Sequence, residues 1–515
     1  MGILFYYLKL LVAQGDTRMP NTSSSFGTTL SYNEGAVSLS EIISALTFAL
    51  DLTEGAVAGH ALRSCLLGMR VGDALGVSGK LRTDLYYALQ LKDVGCSSNA
   101  TRMTQIIGGD DRAMKASTKL EDWRKSGVSL RGLKTLWHNI LPGRSLAKRV
   151  VRFIEIARNA PTNRKEMIQL RCERGADIVR KLEMDAVTAE AVRALDEHWD
   201  GRGYPDGKRG EEIPLLSRIC SIVQNLDVFS TEDSIDAAMK VLRRRSGVWF
   251  DPAIVSVVER LHEEGGFWDH CLKTSTVEET RRAVLALDPG ECTVLTSERI
   301  DRICEAFASV VDAKSPFTYK HSLGVADVAV EIAFEMDLPS ERIQLVRRAA
   351  LLHDIGKLYV PNIILDKAGK LTFDEWTVVV EHPKMTREIL ERISAFRELA
   401  AFAAEHHEKL DGTGYPLGLK AADLSVESRI LGVADVFAAM AENRPYRAGL
   451  DPAKILEIIA ADVPKKYDAR CFAALESVML RWNWLTPAVP TTEVGEFSRS
   501  HPRRFALEDE LAQLI

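Results

Sequence analysis

Seven side chains of related chemistry fall in order along the second half of the chain: His321, His353-Asp354, His382, His406-His407 and Asp435. Imidazole nitrogens and carboxylate oxygens suit a divalent manganese, iron or zinc ion. No cysteine stands among them, which argues against a structural zinc or an iron–sulfur site. Six or seven donors exceed what one tetrahedral ion needs. Two ions sharing an aspartate would use them, and such a pair clamps the attacking and leaving oxygens of a phosphoryl transfer. Lys357, four residues after His353, is expected on nearly the same helix face, where its charge would stabilise a phosphorane. A lone histidine on an apolar helix is ordinarily a core or surface residue. His-Asp, His-His and a downstream Asp on successive helical segments are not explained that way, because buried unpaired polar groups are costly.

These residues need a helical frame, and the chain supplies one. From Leu39 onward apolar residues recur at three- and four-residue spacing, as in SLSEIISALTFALDL behind a Ser38-x-x-Glu41 cap signature, and alternating strand patterns are rare. The expected fold class is all-α. Residues 1–36 read as a polar, flexible leader with Met19 a rival start to Met1, and 486–515 as a C-terminal tail. The opening apolar run is too short to span a membrane, and no other stretch approaches that length. With eight scattered cysteines lacking a CxxC pair, this places the protein in the cytoplasm. A net charge of −6 and the absence of a basic motif exclude a nucleic-acid surface.

The frame occurs twice. Asp-Gly-x-Gly-Tyr-Pro appears at Asp200 and at Asp411, an offset of 211. His60 precedes Lys92-Asp93 as His321 precedes His353-Asp354, an offset of 261, so the first copy carries a 50-residue insertion between about 97 and 170. The predicted layout is two tandem helical bundles, 37–275 and 295–485, joined by a 276–294 linker. GGDD at 108–111, inside the insertion, is read as a turn.

The second copy resembles the HD-GYP branch of the HD phosphohydrolases. The resemblance rests on KHSLGVADVA, LLHDIGKLYVPNIIL, EHPKMTREIL, EHHEKLDGTGYPLGL, RILGVADVFAAM and RPYR. It implies an all-α bundle with metals in its core and hydrolysis of a cyclic dinucleotide, typically cyclic di-GMP, to the linear 5′-phosphorylated dinucleotide. By motif, His321, His353, Asp354, His382, His406, His407 and Asp435 would be metal ligands for two divalent ions, iron or manganese. Asp354 and Lys357 would be catalytic, with Lys357 facing the phosphate, and Gly414, Tyr415, Arg444 and Arg447 would contact substrate. Two departures stand out. Phe317 takes the place of a glutamate that supports a third metal, which favours two. Ala438 replaces an aspartate of the family motif ADVFDAL, which opens the question of substrate. Because nothing in these motifs reads the base, cyclic GMP-AMP is an alternative substrate, and a non-catalytic nucleotide-binding module a further alternative.

In the first copy the same alignment puts Lys92 for His353, Cys96 for Lys357, Arg171 for His382, Leu195-Asp196 for His406-His407 and Gln224 for Asp435. Only His60 and Asp93 remain, and a lysine in a ligand's place opposes a metal by charge. The first copy is expected to be degenerate, serving regulation, homodimerisation or a signalling protein partner, with Lys92 and Arg171 available to an anion.

Overall fold

The computed structural model describes residues 38–55, 57–121, 130–269, 276–288, 295–315, 321–367, 369–442 and 448–482. Phe317, Arg444, Arg447, the leader, the tail and part of the linker lie outside them. Helices follow one another along the chain and, among the described residues, no strand forms, as the periodicity predicts. Each half carries one isolated antiparallel bridge at the base of its Gly-Tyr-Pro loop, Asp200 with Arg209 and Asp411 with Lys420. No helix among the described residues is long and apolar enough to cross a membrane.

The second half is built around the helix His321–Glu335, which is apolar nearly all round and is therefore enclosed. It packs against Ser340–Leu352, Val426–Ala441 and Ala469–Arg481. Several helix starts are set by the caps that the sequence supplies. The Thr296 and Ser425 hydroxyls accept from the backbone N–H groups of Arg299 and Ser428, and Thr372 with Glu375 forms a capping box. The first half repeats the plan, with His60–Ala74 against Gly79–Leu91 and Leu215–Glu232.

Three local findings refine the sequence reading. GGDD is a turn between helices: Gly108, in the left-handed region, closes Ala100–Ile107, and Asp110 caps Asp111–Lys119. Ser38 begins the first helix without capping it. Its hydroxyl donates to Asp288 at 3.2 Å, and Glu41 instead accepts from the N–H and hydroxyl of Ser394 in the second half. Most consequential, one continuous apolar core runs from Ile42 to Met479 through both halves. The insertion has a small core of its own around Met103, Ile107, Met114, Leu136 and Ile140.

Candidate metal centre

The Ser340–Leu352 helix ends at His353, and Asp354 leads into a tight 3-10 turn, Ile355–Tyr359. Lys357 is thus on the turn and not on a continuing α-helix. It reaches the site all the same, pairing through Nζ with Asp354 Oδ2. The turn is forced by close packing. A Cβ on Gly356 would lie 1.9 Å from the His382 carbonyl oxygen, so only glycine lets the turn touch the His382–Leu390 helix. Thr386 fastens the contact, accepting from Gly356 N at 3.0 Å and donating to His353 O at 2.8 Å.

The structure brings all seven candidate ligands together. His321, His353 and Asp435 form one three-donor set and His382, His406 and His407 another. Asp354 lies between them. Its Oδ2 is 3.3 Å from His353 Nε2 and 3.7 Å from His321 Nε2, while its Oδ1 is 3.4 Å from His382 Nε2 and 3.8 Å from His406 Nε2. Asp435 also spans, with Oδ1 at 3.2 Å from His321 Nε2 and Oδ2 at 3.7 Å from His407 Nδ1.

The tautomers follow from the partners. His353, His382 and His406 each present Nδ1 to the carbonyl three residues earlier, Ala350, Val379 and Ala403, at 2.6–2.7 Å. A carbonyl can only accept, so Nδ1 carries the proton and the Nε2 lone pair points inward. His382 Nε2, His406 Nε2 and Asp354 Oδ1 are then three acceptors facing one another. Asp354 Oδ1 and His353 Nε2 are buried without a hydrogen-bond partner. Acceptors converging without a donor are satisfied by a cation, and the donor set fits divalent metals. Burial, then the neighbouring His407 and His353, push His406 well below its usual range, and burial takes His407 down to about 3, leaving neutral imidazoles. Burial alone would raise Asp354 and Asp435. His353 and Lys357 outweigh it for Asp354, and the His321 hydrogen bond with His407 outweighs it for Asp435, so both stay well below the carboxylate range.

The Gly-Tyr-Pro loop is anchored from beneath. Buried Glu408 accepts from Leu417 N and Leu419 N at 2.7 and 2.9 Å. A Cβ on Gly414 would lie 2.4 Å from Glu408 Cα, which is why glycine stands there. Tyr415 lays its ring against His407, with centroids 4.7 Å apart, and half-exposed Trp376 meets Tyr415 edge-on at 5.6 Å. An aromatic path thus leads outward from the donor cluster. The sequence reading missed Thr386, Glu408 and Trp376. Spacing offered a signal for Thr386, one turn after His382, and the repeat offered one for Glu408, whose counterpart Glu197 accepts from Asp206 N and Gly207 N.

In the first half the cluster has become an internal salt-bridge network. Lys92 Nζ sits 3.0 Å from His60 Nε2 and pairs with Asp93, so a lysine ammonium stands among the counterparts of His321 and Asp354. Lys119, from the insertion helix Asp111–Lys119, adds contacts of 3.0 Å to Glu54 and 3.9 Å to Asp93. Glu54, Asp93 and Cys96 are close enough for a metal. Yet both carboxylates are already paired with lysines, and burial pushes the Cys96 thiol up to about 12, keeping it protonated. Lys92 and Arg171 are not available to an anion either, since Arg171 is paired with Asp196.

Histidine–aspartate donors gathered at the centre of a helical bundle, with the His-Asp pair on a helix end, define an HD-type metal-dependent phosphohydrolase. Residues 150–254 and 305–471 match the HD domain family model. The chain is 41% identical over 452 residues to 3′3′-cGAMP-specific phosphodiesterase 3 of Vibrio cholerae, covering 87% of this chain and 96% of that protein. It is 35% identical over 183 residues to a cyclic di-GMP phosphodiesterase of Pseudomonas aeruginosa, covering 34% of this chain and 44% of that protein. A crystal structure of a cyclic GMP-AMP-specific phosphodiesterase from V. cholerae superposes with a TM-score of 0.60 at 38% identity, over 87% of this chain and 98% of that one. The chain belongs to the HD-domain family, in its HD-GYP branch.

Proposed function

We propose that the protein opens a cyclic dinucleotide to the linear 5′-phosphorylated dinucleotide, with 3′3′-cGAMP as its substrate. The observation that carries this reading is the pair of three-donor sets joined through Asp354. His321, His353 and Asp435 would hold one divalent ion and His382, His406 and His407 the other, with Asp354 common to both. Iron or manganese suits this nitrogen–oxygen set. When bound, such ions polarise a phosphodiester and provide a nucleophile from water at neutral pH.

The remaining work falls to the chain's own groups. The carbonyl-bound Nδ1 protons hold His353, His382 and His406 each in one tautomer and one orientation. Lys357 is partly exposed beside Asp354, where its ammonium meets negative charge growing on the non-bridging phosphate oxygens. Tyr415 and Trp376 offer a nucleobase a stacking surface next to the cluster, which a hydrolase of simple phosphate esters would not need. Gly414 shapes that loop, and Arg444 and Arg447 are proposed phosphate or base contacts. Cyclic GMP-AMP takes precedence over cyclic di-GMP because the relative matched over 96% of its length is named for 3′3′-cGAMP, whereas the cyclic di-GMP phosphodiesterase of P. aeruginosa matches about a third of this chain.

The test is a chromatographic time course with each cyclic dinucleotide, using protein loaded with ferrous iron or manganese. Faster loss of 3′3′-cGAMP and a linear product with one terminal phosphate are expected. Asp354→Asn should abolish both metal binding and turnover. Full turnover in chelator, or no turnover of either dinucleotide by loaded protein, would overturn the reading.

A further inference from the structure

The two halves of the chain solve one problem with a residue in two different places. His60 and His321 are counterparts, each opening the central helix of its half. A histidine that opens a helix has no carbonyl of that helix three residues behind it. His353 and His406 obtain theirs from the helix each follows, and His382 from the preceding one. His60 and His321, by contrast, each take a side-chain carboxylate as the acceptor.

In the first half that acceptor is Asp227, on Leu215–Glu232, whose Oδ2 lies 2.7 Å from His60 Nδ1. The counterpart of Asp227 in the second half is Ala438, a methyl group with nothing to accept. His321 Nδ1 nonetheless has a carboxylate partner: Glu442 Oε1, at 2.9 Å. Glu442 lies four residues beyond Ala438, one turn along, at the end of Val426–Ala441. The exchange is reciprocal, because the first-half counterpart of Glu442 is Thr231, whose hydroxyl donates to the Asp227 carbonyl and leaves His60 alone. The extra methylene of glutamate over aspartate helps it reach back over the added turn.

We propose that Glu442 is the positioning residue for His321, replacing the aspartate lost at 438. A carboxylate on Nδ1 fixes the proton there and turns Nε2 towards His353, Asp354 and Asp435, and it makes the imidazole a stronger donor than a carbonyl partner would. The effect acts first on the donor set that contains His321, to which Glu442 is hydrogen-bonded. The family motif's missing aspartate is thus a change of address, and Ala438 does not by itself report on the substrate. This inference rests on the proposal that the two sets hold metals.

The experiment measures metal per full-length chain by elemental analysis after equilibration with manganese and graded chelator. Wild type should retain two ions and Glu442→Ala one, with the weaker ion released at roughly 10- to 100-fold lower chelator. Glu442→Gln, which keeps an accepting oxygen, should fall between. The double variant Ala438→Asp/Glu442→Ala, which restores the first-half arrangement, should recover the second ion. Thermal unfolding in excess chelator separates ligand loss from misfolding, and the double variant supplies a folded comparison. Two ions retained by Glu442→Ala at every chelator level, or no recovery in a double variant that folds like wild type, would overturn the inference alone. A wild-type protein without metal would overturn the two-set reading with it.

Discussion

Lys314 offers a quantitative test of how the turn carrying Lys357 is held. Its side chain is buried, and Nζ donates to the carbonyls of Lys357 at 3.0 Å and Leu358 at 2.6 Å. Two acceptors match the two N–H bonds of a neutral amine. Burial, opposed by Asp111 and assisted by Lys115, pushes the group down from 10.5 to about 7. Between pH 7 and pH 10 the unfolded lysine keeps a proton that the folded one has released. Unfolding therefore takes up a proton, and stability must rise with pH across this window and flatten above the unfolded value. At about 1.4 kcal/mol per pH unit, the rise approaches roughly 3–4 kcal/mol. An unfolding entropy of about 2.1 cal/mol/K per residue makes 1 kcal/mol worth about 1 °C for a cooperative unit of this size, so the signal is roughly 3–4 °C in Tm. Other groups titrate here too, so the measurement is a double difference. Wild type and Lys314→Met are melted in chelator at pH 7 and pH 10. The lost hydrogen bonds shift the variant equally at both values, whereas the slope of the variant falls below that of wild type by this amount only if Lys314 is the source. Curves that move in parallel would refute the argument.

Trp376→Ala should raise KM for the cyclic dinucleotide about ten-fold with kcat nearly held, the cost of one stacked base. A fall in metal content per chain alongside the rise in KM would show that the substitution damages the donor cluster instead. Lys92→Ala leaves the buried carboxylate of Asp93 with only its longer contact to Lys119, at 3.9 Å, and should cost about 3 kcal/mol in a melt, with metal content per chain unchanged. A fall in metal content would contradict the assignment of the first half as metal-free. Gly414→Ala pushes a Cβ to 2.4 Å from Glu408 Cα, so steady-state kinetics should show kcat/KM falling while the His321 set keeps its ion.

The all-α frame, the repeat and the seven donors were legible because each leaves a periodic or spaced trace: helical apolar spacing, a fixed offset, paired His-Asp and His-His. What was not legible depends on three-dimensional proximity between distant segments. The continuation of the Ser340–Leu352 helix to Lys357 was a reasonable extension of its pattern, but Gly356 packed against His382 tightens the backbone there. The Ser38-x-x-Glu41 signature is a real helix start whose side chains are drawn off by Asp288 and Ser394, residues far away in sequence. Lys92 and Arg171 look free in the sequence because their neutralising partners fall at ligand positions, Asp93 a retained one and Asp196 an altered one, where a counter-ion is not looked for. The compensation at Glu442 was hidden for a different reason: motif matching registers the loss at 438 but not a replacement one turn away.

The retention of the first half follows from what it touches. Its lysines provide the positive charge that its carboxylates need, so its centre is balanced without a metal. Its outer surface then serves the second half directly. Arg112 donates to the Tyr359 carbonyl at 2.8 Å, Asp111 accepts from Asn362 N at 3.1 Å, and Thr53 donates to the Leu358 carbonyl at 3.4 Å. With Lys314, these contacts satisfy the backbone of the segment immediately after His353-Asp354, the same segment that presents Lys357. Left bare, those carbonyls would either hydrate and loosen the turn or stay buried and unpaired, at about 1–3 kcal/mol each. The insertion that plugs the lost site also supplies Asp111 and Arg112. The same short helix thus neutralises the carboxylates left at the altered site of one copy and holds the turn beside the donor cluster of the other.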